Sequence, residues 1–249
     1  SNTISSSEHS SRSSGSSTMP GSLAISLRHS KATKRKYRLR QHGELDVPEI
    51  EAPVDGVTKY SIDYAIISNG EEEPKSTIMV MVNHEDGGVF VYANLGKGIQ
   101  GDKYWLPRRM SMDIDNCGVK EAKVQTKSDQ EPAIVAVQQE IQHLRRSGTI
   151  CTNSPVGESE CNGRAENAIL RVQAKFRTFR FALGEKLKEK IDTKRPFTTW
   201  MLRWAGEVLT KYTPGSGGKT PWGRRRGQRC GKPLAQIGEK VLYLALNTA

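Results

Sequence analysis

The chain has 249 residues, a formal net charge of +11 and a hydrophobic share of only 35%. The length suits one ordinary domain plus tails, or two small domains, and the low hydrophobic share predicts that part of the chain is disordered. The charge points to a polyanionic partner, and no apolar run approaches the roughly 18 residues of a spanning helix, which argues against a membrane role. The first residues lack the apolar core of a secretion signal. Cys117, Cys151, Cys161 and Cys230 form no CxxC pair and have no histidine nearby at zinc-ligand spacing, so structural zinc is not expected and the thiols read as reduced. His29 and His42 have no cysteine pair close behind them and read as solvated tail residues. The chain opens on Ser1 rather than Met and is expected to be a piece of a longer polypeptide.

In chain order, residues 1–22 are mostly Ser with scattered polar residues and Gly, a composition that cannot bury enough apolar surface to order itself. A basic cluster follows (Arg28, Lys31, Lys34, Arg35, Lys36, Arg38, Arg40), readable as a phosphate-contacting arm, a nuclear-import signal or a solvated linker. The Pro-punctuated stretch Glu49 to Gly56 leads into the folded region, so the expected division is a tail over 1–52, a core over 53–212 and a basic C-terminal segment over 213–249.

Ser61 to Ile67, Thr77 to Val82 and Val89 to Ala93 read as three strands separated by polar turn segments, an antiparallel meander. Leu106, Met110 and Ile114 step by four, which predicts a helix over 105–116 with Pro107 in its first turn. A short fourth strand is expected at 122–127. Ile134, Val137, Ile141 and Leu144 then form the stripe of an amphipathic helix closed by Gly148, and a fifth strand follows at 149–152. A long helix opens near Asn162, with Ala165, Ile169, Val172, Phe176, Phe179 and Leu183 on its core face. A further helix spans 197–212, and a last strand is expected at 240–246 after the basic run. Three strands followed by helix–strand alternation imply an α/β fold, a mixed five-stranded sheet flanked by helices.

Three carboxylates stand out. Asp63 interrupts the apolar strand SIDYAII, where a charge costs burial energy unless a cation or donors meet it. Asp129 ends the fourth strand, and Glu166 lies in the first turn of the long helix beside Ala165. Singly, Asp63 could pair with an arginine, Asp129 could cap the following helix and Glu166 could favour a helix N-terminus. If the first and fourth strands are neighbours and the long helix packs on them, all three converge. Like charges brought together call for divalent cations, and hard oxygen ligands suit Mg²⁺ or Mn²⁺. Two such ions about 3.5–4 Å apart serve in-line phosphoryl transfer.

SIDY (Ser61 to Tyr64), KSDQEPA (Lys127 to Ala133) and NGRAENAI (Asn162 to Ile169) resemble the three blocks of retroelement integrases, whose fold is ribonuclease H-like. Positions 130 to 165 put 36 residues between Asp129 and Glu166, close to the spacing of that superfamily. Glu158 and Glu160 stand too near Asp129 to fit it. NSPVGESECNG is similar to the family's loop before the final helix, and TPWGRRRGQRCGKPLAQIGEKVLY resembles the segment that follows the core in copia-like elements, so the likeness covers roughly 56–246. The resemblance implies a polynucleotidyl transferase that processes 3′ ends of element DNA and joins them to target DNA, with Asp63 bridging two metal ions, Asp129 binding one and Glu166 the other. It also implies DNA and further copies of the chain as partners, and a nuclear location after a cytoplasmic particle stage.

Departures from the family pattern shape the expected DNA contacts. The zinc-binding His/Cys block that precedes such cores is not recognisable, and Leu170 and Gln173 stand where retroviral relatives often have lysines. Lys127, Arg177, Arg180, Arg224, Arg225 and Arg226 are the expected DNA contacts, whereas Arg164, Arg171 and Lys175 read as a solvated face. Three other readings compete: an integrase-derived domain that binds nucleic acid without cutting it, a ribonuclease H-type nuclease, and a basic chromatin-associated protein acting through its tails. Only an integrase makes new DNA joints.

Overall fold

The computed structural model describes residues 56–67, 76–94, 96–99, 104–154, 162–192, 196–215, 217–232, 234 and 237–239. The Ser-rich stretch, the basic cluster after it, the tail–core boundary, Glu158, Glu160 and the strand expected at 240–246 lie outside these residues.

The elements are β1 (Thr58–Ile67), β2 (Ser76–Asn83), β3 (Val89–Asn94), α1 (Trp105–Ile114), β4 (Val124–Ser128), α2 (Pro132–Leu144), β5 (Thr149–Asn153), α3 (Gly163–Leu187), α4 (Pro196–Lys211) and α5 (Pro221–Arg226). The strands form one sheet in the order β3-β2-β1-β4-β5. β1 to β3 are an antiparallel meander, and β4 and β5 run parallel to β1. This is the mixed, helix-flanked sheet that the strand pattern predicts, and it agrees with the ribonuclease H-like class that the resemblance implies.

Side-chain alternation along β1 divides the core. Tyr60, Ile62 and Tyr64 pack with Val124 against Leu106, Met110, Ile134, Val137 and Ile141 of α1 and α2. Ala65 and Ile67 face the other way, against Ala168, Val172 and Phe176 of α3 and Met201, Leu202 and Ala205 of α4. Fully burying a side chain such as Ile62 or Phe176 contributes about 1.5–3 kcal/mol, which is why two apolar helix stripes suffice to clamp the sheet. No described helix is long and apolar enough to cross a membrane.

Edge strand β3 is covered by α4. The Thr210 hydroxyl accepts from the Val89 N–H at 2.9 Å and donates to the Val89 carbonyl at 3.0 Å. A Cβ at Gly206 would collide with the Val91 side chain, so the glycine permits this approach. Covering an edge in this way removes a template for unwanted strand pairing.

Two local features differ from the expected elements. The helix expected to reach 116 stops at Ile114 and continues as a π-helical turn, Asp115–Val119, with Gly118 at φ 95°. The basic run expected as part of a linker forms α5. Thr220 caps it by accepting from the Gly223 N–H at 3.0 Å, Pro221 occupies its first turn, and Gly227 ends it at φ 70°. Thr-Pro before and Gly after are helix boundary signals that were legible in the sequence.

Candidate active site

The site is built from rows across the sheet. Ser61 of β1 is level with Lys127 of β4 in the parallel ladder. Asp63 and Asp129 each lie two residues further on, so extending the register sets them side by side. Asp63 shares the α3-facing side of β1 with Ala65 and Ile67. Lys127 and Asp129 follow the same alternation, because Val124 faces the opposite layer. Glu166 stands in the first turn of α3, next to buried Ala165 and exposed to solvent.

Asp129 is held by its neighbours. Its Oδ1 accepts from the Glu131 N–H at 3.2 Å, and Glu131, not Asp129, is the N-cap residue of α2. The Ser128 hydroxyl bonds the Asp129 carbonyl at 2.8 Å and the Gln138 Oε1 at 3.0 Å. Gln138 Nε2 in turn donates to the Thr126 carbonyl at 3.1 Å. Gln138 is completely buried. It lies next to Val137 of the apolar stripe, so hydrophobic periodicity gives no hint that a polar side chain there ties α2 to the strand end carrying Asp129.

The electrostatics link the carboxylates. Burial is the main cause that pushes the Asp63 carboxyl from 3.8 up to about 6; the Tyr64 backbone N–H opposes it, and the negative charges of Asp129, Glu166 and Glu131 push it further up. Glu131, which sequence reading left out of the site, pairs with Lys97 at 2.8 Å. Among the described residues no three His, Cys, Asp or Glu side chains gather closely enough to ligate one ion. Asp63, Asp129 and Glu166 are nevertheless all-oxygen donors whose mutual repulsion a divalent cation would relieve. Mg²⁺ retains several waters and needs only one or two carboxylates, so this donor set fits it.

Behind Asp63 and Asp129 lie two further rows, Ser61 with Lys127 about 6.7 Å back and Lys59 about 13 Å back along β1. The His84 N–H donates to the Lys59 carbonyl at 2.9 Å, and His84 Nε2 and Ser61 Oγ are 2.7 Å apart. Arg164 of α3 donates to the His84 carbonyl at 3.0 Å. Burial first, then the charges of Arg164, Lys127 and Lys59, push the His84 imidazole down to about 4.

The other expected DNA contacts fall in two places. Arg177 is exposed and Arg180 half-buried, on the stripe that Glu166, Leu170 and Gln173 begin. At 1.5 Å per residue they lie roughly 16 and 21 Å from Glu166 along α3. Arg224, Arg225 and Arg226 sit on α5. Arg225 is largely enclosed. Its Nε bonds Asp86 Oδ2 at 2.5 Å, its side chain is 11% exposed and it lies over the Phe90 ring. Arg224 donates to the Asp86 carbonyl at 3.4 Å, and Arg226 donates to the Asn116 carbonyl at 3.2 Å. The run thus ties α5 to the β2–β3 turn and the π-helical turn.

No protein-family model and no curated protein matches the chain. Among solved structures it is similar to the HTLV-2 integrase catalytic core domain in complex with magnesium, in its trimeric form (TM-score 0.47, 14% identity, 68% of this chain and 95% of that chain covered). The dimeric form of the same domain gives a TM-score of 0.45 at 13% identity, with 68% and 95% covered. The BIV integrase catalytic core domain gives 0.42 at 17% identity, with 66% of this chain and 90% of that chain covered.

Proposed function

We propose that this chain is the catalytic core of a retroelement integrase, a metal-dependent polynucleotidyl transferase that processes DNA 3′ ends and joins them to target DNA. The observation that carries this reading is the β1–β4 register, which extended by two residues sets Asp63 beside Asp129, with the charges of Asp129 and of Glu166 on the long helix both acting on Asp63. Two Mg²⁺ or Mn²⁺ ions, when bound, would activate the attacking oxygen and stabilise the leaving one. Asp63 would contribute to both ions, Asp129 to one and Glu166 to the other. The chain's own work is then positional: Ser128 and Gln138 hold the strand end that carries Asp129, and α3 sets Glu166 across from it. Lys127, on the same face as Asp129, and Arg177 and Arg180 further along α3 are the proposed DNA contacts. DNA ends, target DNA and further copies of the chain are the proposed partners, with action in the nucleus.

Because strand transfer exchanges one phosphodiester for another, its reversal on a branched oligonucleotide tests the site without knowledge of the natural ends. The full chain with Mn²⁺ is expected to resolve a labelled branched duplex and to join duplexes with free 3′ hydroxyls. Asp63→Asn, Asp129→Asn and Glu166→Gln should each abolish both reactions. Hydrolysis without any joining would favour a ribonuclease H-type nuclease, and binding without either reaction would favour a non-cutting nucleic-acid-binding domain.

A further inference from the structure

We infer that Lys59, Lys127 and Arg164 form one cationic pocket beside the carboxylates, and that it holds a DNA phosphate other than the one at which bonds change; this rests on the integrase reading. By composition Arg164 belongs to a solvated face of α3, and Lys59 draws no notice at all. The fold brings them together. Lys59 and Lys127 lie on the α3-facing side of neighbouring strands, with Ser61 level with Lys127 and Lys59 two residues before Ser61. The β2–β3 turn brings His84 level with Lys59, and Arg164 reaches over it to the His84 carbonyl at 3.0 Å. Three cations from three elements thus lie around one imidazole, with Lys127 one row and Lys59 two rows below the carboxylates. The imidazole is held neutral, so it adds no charge of its own.

None of the three cations makes an ion pair among the described residues, whereas Arg109, Arg145, Arg203, Lys211 and Arg225 all do. Unpaired cations held close together repel one another, and an anion that reaches all three relieves that cost. No acidic side chain among the described residues fills this place. A phosphodiester fits instead: it belongs to the strand whose neighbouring phosphate the carboxylate row addresses through its metal ions. The pocket then fixes where along the backbone the reaction occurs. Lys59, Lys127 and Arg164 act as positioning residues, and contact with sugar-phosphate alone makes them indifferent to base sequence.

The experiment is equilibrium binding of the full chain to a labelled DNA duplex without divalent cation, across a salt series. The double variant Lys59→Gln/Arg164→Gln is expected to lower the slope of log affinity against log salt by about 1, as for loss of one phosphate contact, and to weaken binding several-fold at low salt. Lys59→Gln/Arg164→Lys should recover part of the lost slope, because charge rather than the His84 contact is what counts. Lys175→Gln on the same helix should leave the slope unchanged. An unchanged slope in the double variant, with thermal stability intact, overturns the inference, as does a wild-type chain without salt-dependent binding. Joining by wild-type protein is measured beside it with Mn²⁺. Joining with no slope change removes this pocket and leaves the integrase reading standing. A slope change without joining supports the pocket and removes the activity.

Discussion

Ser61 of β1 and Lys127 of β4 stand level in the parallel ladder, and extending that register by two residues sets Asp63 and Asp129 at the same height. A one-residue slip would turn one of the pair to the opposite layer, where α1 and α2 pack. The candidate site therefore depends on strand pairing before it depends on any side-chain contact.

The first prediction concerns the cost of this arrangement. A carboxyl raised from 3.8 to about 6 stabilises the fold while protonated, so that contribution is full below 3.8 and is lost as pH rises through about 6. At pH 8 without divalent cation, Asp63→Asn is expected to raise thermal stability, by on the order of 1–2 kcal/mol after allowance for solvent screening of a half-buried group. Mn²⁺ should raise the melting temperature of the wild-type chain above pH 6 and progressively less below it, since protons compete for the same oxygens. Calorimetry over a pH series with EDTA or Mn²⁺ checks both. A destabilised Asp63→Asn at pH 8 would show that burial and repulsion are outweighed by donors the carboxylate keeps.

A second prediction addresses the support under Asp129. Gln138→Ala removes one acceptor of the Ser128 hydroxyl, which keeps the Asp129 carbonyl, and the donor to the Thr126 carbonyl, both buried. A loss of about 1–3 kcal/mol per unsatisfied buried group is expected. Because the same bonds hold the strand end, the joining rate should fall more than DNA affinity does. Denaturant melts beside single-turnover assays separate the two effects, and Gln138→Glu at low pH, where the carboxyl can still donate, should recover part of the loss.

Arg225 supplies the third. Its expected role was DNA contact, yet it is bound to Asp86, which also accepts from the Gly88 N–H at 2.6 Å. Arg225→Ala leaves a buried carboxylate unpaired and should cost about 3–5 kcal/mol, whereas removing both charges in Asp86→Asn/Arg225→Gln should cost less than the single change. The salt dependence of DNA binding should stay the same in every variant that remains folded. A double-mutant cycle by chemical denaturation, with binding measured in parallel, tests the assignment; a lower salt slope in Arg225→Gln would restore it to the DNA contacts.

The helices and strands were legible because their signals are local. Apolar steps of three and four residues marked α1, α2 and α3, and short β-rich runs between polar turns marked the strands. The π-helical turn was not legible, because its geometry depends on what packs against it. The side chain of Arg145, with only 1% of its area exposed, bonds Asp115 Oδ1 at 3.0 Å and the Val119 carbonyl at 2.8 Å from the far end of α2.

By itself the sequence determined the class of fold and the three candidate carboxylates, since both rest on periodicity and on spacing along one chain. Only the tertiary structure decided which charges act together. Arg164 meets His84 across 80 residues and Arg225 meets Asp86 across 139. No local pattern encodes such meetings. Hydrogen bonds and Coulomb forces act over a few ångströms of space, and residues distant in the chain come that close only when the sheet has paired and the helices have packed on it. That is why a basic run read as a DNA contact contains a buried brace, and why an arginine read as solvated stands beside the proposed catalytic row.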